Sequence, residues 1–535
     1  MAAVEAAEVV AKKKRFGLAV DRRHCSLDSG IGRMTMLPNK MKKREDEFEA
    51  NRDDRTRRTI VHFILGLVIL FLACWTLFWR LGQGSFNDWD EATYAEIARE
   101  MIMSGDWITP HWNGMPLHDK PPLVMWFMAA GMMFMNSIEL AARLPAALAG
   151  LFAVGITILL GRSLFCTWTG LTAATLLLVS SRDVWANFVL LARQGMLDVP
   201  LTGFVLWALL HLWLGISRPK HWLLMGLPLG LAVLTKSFLT LPIVLVILIF
   251  VTTLAFAGQP FSQQHWRYAA GGVGVALAIS LPWHLVQLSM HGRDFLYGYV
   301  LIHSMKMVRV ESGNGGDWTF YATQIRQALP HFAWISIPAV CLIVWRGIKY
   351  RDRGALLLAI WLAIPLLFFS LIPTKLTWYI VPILPALALA IALLFRAAVP
   401  HHWVPESLFL GALVLVVALW NVKVLKPVDL SPDVKALGAR VVDVTPVQEQ
   451  IAFYRPKEEE DFDLRGPLLL NIRTSVRVYA NRSMVRLLNP DQLREWAKQG
   501  GRFLWTEKSL DDQIHPSFEL IAAAGKQQYF RDGSK

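Results

Sequence analysis

The chain is poor in charge for its length. Of its 535 residues only 18% are Asp, Glu, Lys or Arg, whereas 54% are hydrophobic. A soluble domain carries about 25% charged residues, so a surface that faces water on all sides is excluded and a multi-span membrane protein is indicated. Cysteine is also scarce. Cys74, Cys166 and Cys341 fall within apolar stretches and Cys25 lies in a polar N-terminal segment, which leaves no disulfide framework. No CxxC or HxxxH pair suggests a structural zinc site. The glycine-rich "ESGNGGDW" lacks the Lys-Ser/Thr of a phosphate-binding loop, and no GxGxxG opens a βα unit, so a nucleotide site is not expected. Residues 1–59 contain no apolar core of signal-peptide length. With runs such as "KKKR" and "RDDRTRR" they read as a disordered cytoplasmic arm that the chain retains.

What is present is apolar and periodic on the scale of a bilayer. Roughly eleven runs of about 17–22 residues can be traced, near 60–79, 144–161, 165–181, 199–216, 222–235, 238–257, 268–288, 328–345, 354–372, 379–395 and 406–423. The net charge of +13 does not imply nucleic acid, because Lys and Arg gather in the short segments flanking these runs. Arg55, Arg57 and Arg58 precede the first run. Counted alternately from there, the inner segments contain Arg162, "SRPKH", Arg267, "RGIKYRDR" and Arg396, in agreement with the positive-inside rule. The 22 Trp residues are expected at the two bilayer interfaces. An odd number of spans places residues 424–535 outside the cytoplasm. Short apolar runs such as "GPLLLNI" and "GRFLWT" beside the helical "NPDQLREWAKQ" predict a small α/β domain there.

The outer segment between the first two spans runs to roughly sixty residues, longer than a connection requires. Asp88 can cap a helix in which Tyr94, Ile97, Ala98, Met101 and Ile102 form one apolar stripe, ended by Ser104-Gly105. Such a helix is expected to lie on the membrane surface, with Trp89 and Trp107 as anchors. Asp90 and Glu91 occupy its first turn. They either answer the helix dipole or supply a carboxylate that accepts a proton from an incoming hydroxyl. Asp119-Lys120, before Pro121-Pro122, is either an exposed ion pair or an acid that ligates a cation beside an ammonium that binds phosphate. Spacing does not decide. Asp198 begins a later outward turn, and Lys236 and Lys375 stand at outer ends of spans, where they either snorkel or meet a phosphate.

The stretch "DEATYAEIAREMIMSGDWITPHWNGMPLHDKPPLVMW" is followed by "AARLPAALAGL", "LARQGMLDVPL", "GLAVLTKSFL", "LPWHLV" and "KLTWYIVPILPALALA". In that order, between residues 60 and 400, they resemble the lipid-linked sugar transferases of the GT-C fold. The resemblance is to the bacterial branch that includes the 4-amino-4-deoxy-L-arabinose transferase of lipid A, itself related to protein O-mannosyltransferases. It implies an all-α polytopic GT-C domain over 60–423, with active site and tail outside the cytoplasmic membrane. The implied reaction moves a sugar from a polyprenyl-phosphate donor to a lipid, glycan or protein acceptor, with inversion.

Residue by residue, the resemblance makes Asp90 and Asp198 the acids of the reaction. Lys120 and Tyr379 match donor-phosphate ligands, Asp119 and His303 ligands of a divalent metal (Zn, Mg or Mn). Glu91, Tyr94 and Lys375 join the substrate-contacting set. Arg143 matches a residue that orients the first loop. Two positions depart from the pattern: Thr93 stands where those enzymes usually have Arg, with Lys306 and Arg309 as replacements, and Asp119 is one methylene shorter than the usual Glu. Two other classes share the composition, namely a lipid or sugar transporter and a membrane-anchored binding protein acting through its tail. The first should hold its ionisable groups near the bilayer midplane, often in repeated halves, and the second leaves the long first loop unexplained.

Overall fold

The computed structural model describes residues 38–88, 90–181, 187–302, 316–328, 333–427, 429–454, 474–507 and 517–533. His303, Lys306, Arg309, Trp89 and most of the N-terminal arm lie outside them. Two compact units are distinguished, Met1–Arg57 and Arg58–Lys535, and the described residues of the first are helical.

Among the described residues, eight helices of the chain are long and apolar enough to cross a membrane. They are Arg52–Phe78, Ile138–Leu164, Asp198–Gly215, Lys220–Phe256, Gln263–Leu301, Arg353–Leu371, Thr377–Ala398 and Trp403–Val424. The runs near 222–235 and 238–257 form one of these segments, interrupted by a 3-10 turn over Ser237–Thr240. The run near 165–181 yields only an 11-residue helix, Thr167–Leu177, and the run near 328–345 a 17-residue helix, Ala333–Lys349. Both are shorter than the roughly 20 residues that span a hydrocarbon core unaided.

Three of the spanning segments are broken, and the breaks matter for the site. Lys236 leaves the helical region at φ −151°, ψ 75°, and Pro242 restarts the helix a turn later. Gly292 takes φ 51° and is followed by a π-helical stretch, Leu296–Ile302. Thr377–Ile383 is a 3-10 turn that leads into Leu384–Ala398. Irregular backbone between apolar helices is tolerated where protein or a cavity satisfies its polar groups, and all three breaks supply residues to one cavity.

The long loop after the first span folds as a helix, Asp90–Ser104, then a two-stranded hairpin of β1 (His111–Trp112) and β2 (Met115–Pro116), and then the helix Leu123–Phe134. The helix does not float on the membrane surface as its stripe suggests. Ten of its fifteen residues are buried, Glu91, Glu96, Arg99 and Glu100 among them. Its apolar side joins Val124, Met125, Met128 and Leu197 in a small core. Its charged side faces residues of the tail, which amphipathicity alone cannot reveal.

The tail forms a five-stranded sheet in the order β4-β3-β5-β7-β6, from β3 (Ile451–Tyr454), β4 (Met484–Leu487), β5 (Phe503–Glu507), β6 (Phe518–Ala524) and β7 (Gln527–Asp532). β3 runs parallel to both β4 and β5, whereas β7 is antiparallel to β5 and β6. Helices Pro432–Val444 and Thr474–Ala480 cover one face over a core of Val434, Leu437, Phe453, Val476 and Trp505.

Candidate active site

One cavity gathers residues from the first loop and from the helix breaks. Asp90, Asp119 and Lys120 come from the loop, Lys236, Ser237 and Phe238 from the first break, Tyr299 from the second, and Trp378 and Tyr379 from the third. The segments are far apart in sequence. They converge because each break turns a short polar piece inward from the end of an apolar helix.

Asp90 is the first residue of its helix, where partial positive charge favours a carboxylate. The Lys120 ammonium lies 3.0 Å from Asp119 Oδ2, with both side chains about one-fifth exposed. An arriving anion would therefore compete with Asp119 for Lys120. Lys236 is deeper. Its Nζ donates to both carboxylate oxygens of Asp198 at 2.8 Å, and both side chains are almost wholly buried. Asp198 itself is not among the cavity-lining residues. It starts the helix Asp198–Gly215 and holds the lysine that does line the wall.

Tyr94 lies beneath Asp90, 2% exposed, and its hydroxyl makes no well-formed hydrogen bond, although the Asp90 carboxylate is beside it. Burial, then the charges of Asp90, Asp119 and Asp198, push its ionisation well above the ordinary tyrosine range, so it stays a neutral O–H. Tyr379 stacks near Phe369, with ring centroids 5.0 Å apart. Tyr299 lies against Phe295 at 4.9 Å, and its hydroxyl meets His284 Nε2 at 2.7 Å and Ser237 Oγ.

Three residues expected to touch substrate face the protein instead, the buried Tyr94 being the first of them. Glu91 is fully buried: Oε1 accepts from Arg143 Nε at 2.7 Å and from the Gly195 amide at 3.1 Å, and Oε2 accepts from the Asn87 amide at 2.8 Å. Arg143 donates further to the carbonyls of Leu81, Gln83 and Ser85. Together they tie the start of the loop to the helix Ile138–Leu164. Lys375 turns away from the cavity to donate to the carbonyls of Phe369, Ser370 and Ile372, where it caps the end of the helix Arg353–Leu371, and its burial lowers the ammonium pKa.

A divalent ion on Asp119 and His303 would draw on a residue outside the described ones. Among the described residues no group of three or more His, Cys, Asp or Glu could hold an ion, and Asp119 is engaged by Lys120.

Nothing in the sequence marks Ser237, Phe238, Tyr299 and Trp378 individually as lining residues, although the stretches "LTKSFL" and "KLTWY" contain three of them. "LPWHLV" also has a physical account. Trp283 Nε1 donates to the Ile108 carbonyl at 2.8 Å, and His284 holds Tyr299, so one helical turn fastens the loop and a cavity residue.

Residues 119–285 match the family model of dolichyl-phosphate-mannose-protein mannosyltransferases. The chain is 29% identical over 342 residues to the undecaprenyl phosphate-alpha-4-amino-4-deoxy-L-arabinose arabinosyl transferase of Pseudomonas aeruginosa (strain UCBPP-PA14), a match that covers 60% of this chain and 58% of that protein. The chain thus spans little more than half of that relative. Its structure resembles that of ArnT from Cupriavidus metallidurans bound to undecaprenyl phosphate, with a TM-score of 0.66, 18% identity and coverage of 88% of this chain and 97% of the other. It also resembles the archaeal oligosaccharyltransferase AglB from Archaeoglobus fulgidus in complex with an inhibitory peptide and a dolichol-phosphate, at a TM-score of 0.53, 12% identity and coverage of 84% and 70%. The chain has the GT-C fold of these membrane proteins.

Proposed function

We propose that this GT-C chain is a glycosyltransferase that moves a sugar from a polyprenyl-phosphate donor to an acceptor hydroxyl or phosphate on a lipid, glycan or protein. The observation that supports it most is the single cavity in which a carboxylate, Asp90, stands with Lys120, Lys236 and Tyr379 at the ends of apolar helices. An apolar surround suits a polyprenyl tail, and the cations suit its phosphate. The likeness to arabinosyl transferases supports the same donor class. On the positive-inside pattern of the sequence we also assign the cavity and the tail domain, 424–535, to the outer face of the cytoplasmic membrane, with residues 1–59 inside and 60–423 as the catalytic domain.

In the reaction, Asp90 accepts the proton of the acceptor hydroxyl while its oxygen attacks the anomeric carbon. The bond from that carbon to the phosphate oxygen breaks, and the electron pair leaves with the polyprenyl phosphate. Lys120, released from Asp119, and Tyr379 stabilise the charge that grows on this leaving group. A single displacement inverts the anomeric centre. Asp198 holds Lys236 at the cavity wall. Glu91 and Tyr94 hold the first turn from behind.

The test is the purified full chain given undecaprenyl-phosphate-linked, radiolabelled 4-amino-4-deoxy-L-arabinose and a panel of other undecaprenyl-phosphate sugars, with membrane lipids and glycans as acceptors. Acceptor-dependent release of undecaprenyl phosphate is expected with one of them; vectorial movement of the intact donor across vesicles without bond cleavage would instead make the protein a transporter. Lys120→Ala is expected to weaken undecaprenyl phosphate binding about 10- to 100-fold, the value of one hydrogen bond between charged groups. Equal affinities of variant and parent in a titration would remove Lys120 from the phosphate site.

A further inference from the structure

The tail domain grips the chain on both sides of Asp90. Before it, Asp429 Oδ1 accepts from the Ser85 amide at 2.9 Å and from its hydroxyl at 2.6 Å, and Tyr479 Oη accepts from the Phe86 amide at 2.8 Å. Two residues from Asp90, the amide of Ser475 donates to Asp88 Oδ1 at 2.9 Å. After it, Arg477 places Nε 2.9 Å from Glu96 Oε1 and donates from Nη2 to Glu100 Oε1 at 3.0 Å. Arg99 completes the set by a double hydrogen bond to Glu96 and a contact with Asn481 Oδ1 of the tail. Glu100 in turn receives the amides of Asn113 and Gly114, which carry the hairpin that leads to Asp119.

The charges of this cluster balance, with two glutamates against two arginines, and its members are buried. Burial works against the charge on Glu96, yet Arg99 and Arg477 hold its pKa below the ordinary value. Burial and the neighbouring Glu96 raise that of Glu100. A buried ion cluster of this kind adds little net stability over an apolar replacement of the same shape, since desolvation offsets the attraction. What it does supply is direction. The helix Asp90–Ser104 can hardly rotate or slide without parting Arg477 from one of its two glutamates.

On the functional reading above, we infer that the tail domain is a working part of the active site, in which Arg477 is a positioning residue that fixes the helix bearing Asp90. The tail therefore acts on turnover rather than on donor affinity, because Lys120, Lys236 and Tyr379 hold the phosphate from other segments. A base must sit within hydrogen-bond reach of the proton it takes, and a shift of about 1 Å costs on the order of 10²-fold.

The experiment compares the full chain with Arg477→Met and Arg477→Lys. Arg477→Met is expected to lower kcat roughly 10- to 100-fold with the donor KM and the affinity for undecaprenyl phosphate unchanged, and Arg477→Lys should recover part of it. Amide hydrogen exchange over residues 90–104 should quicken in Arg477→Met. In an Asp90→Asn background the same change should cost no further activity, because the group it positions is gone. Asp88→Ala, which removes the Ser475 link and leaves Arg477 in place, gives the same pattern in smaller measure should Arg477→Met fail to fold. Unchanged exchange, or faster exchange with an unchanged kcat, overturns the inference, as does a parallel loss of kcat, donor binding and thermal stability. If the parent protein transfers no sugar at all, the functional reading fails, and the exchange data still decide whether the tail holds the helix.

Discussion

Asp90→Asn is expected to abolish sugar transfer almost completely while leaving the cavity and its affinity for undecaprenyl phosphate intact. Asparagine matches aspartate in shape and keeps one acceptor oxygen, so the first turn of the helix Asp90–Ser104 is retained. What it cannot do is accept a proton at neutral pH. Loss of a general base lowers turnover about 10²–10⁴-fold, and Lys120 and Tyr379, the proposed partners of the phosphate, are untouched. Single-turnover kinetics on the purified variant, beside equilibrium binding of undecaprenyl phosphate, separate the two quantities. Turnover within a factor of a few of the parent would exclude Asp90 as the base, and a loss of binding equal to the loss of rate would make it a ligand instead.

Arg143→Met, at the point where the helix Ile138–Leu164 anchors the first loop, should be strongly destabilising. Arg143 is wholly buried, and its guanidinium satisfies Glu91 and the carbonyls of Leu81, Gln83 and Ser85. Methionine fills much of the volume but leaves the Glu91 carboxylate in a dry site with only the Asn87 and Gly195 amides as partners. Removing one partner of a buried ion pair costs about 3–5 kcal/mol. A lower melting temperature in detergent and proteolysis between residues 80 and 123 are the expected readouts. Adding Glu91→Gln to the variant should return part of the loss, because a neutral amide tolerates the site, and a cycle of the two changes measures the coupling. Simple additivity would mean that the pair does not act as a unit. Because the carbonyls of 81–85 lie just ahead of Asp90, turnover should fall along with stability, which distinguishes this change from Arg477→Met.

Composition, hydropathy and charge by themselves determined the class of molecule: apolar helices, basic short connections between them, a long first loop and a tail of mixed strands and helices. Period and length carry that much because a bilayer imposes them on every span alike. The order of motifs, through its resemblance to the GT-C transferases, singled out Asp90, Asp119, Lys120 and Tyr379, which meet in one cavity. The tertiary structure decided the rest. That Glu91 faces Arg143, that Asp198 faces Lys236 and that Lys375 caps a helix end all depend on which segments come to lie side by side, across separations of 52 and 38 residues for the two ion pairs. Nothing local to a carboxylate tells whether its partner will be a substrate or a distant arginine. The helix Asp90–Ser104 shows the same limit: its apolar stripe is real, but its charged face is buried against Arg477, because a face that looks solvated in one segment is neutralised by opposite charges supplied nearly four hundred residues away.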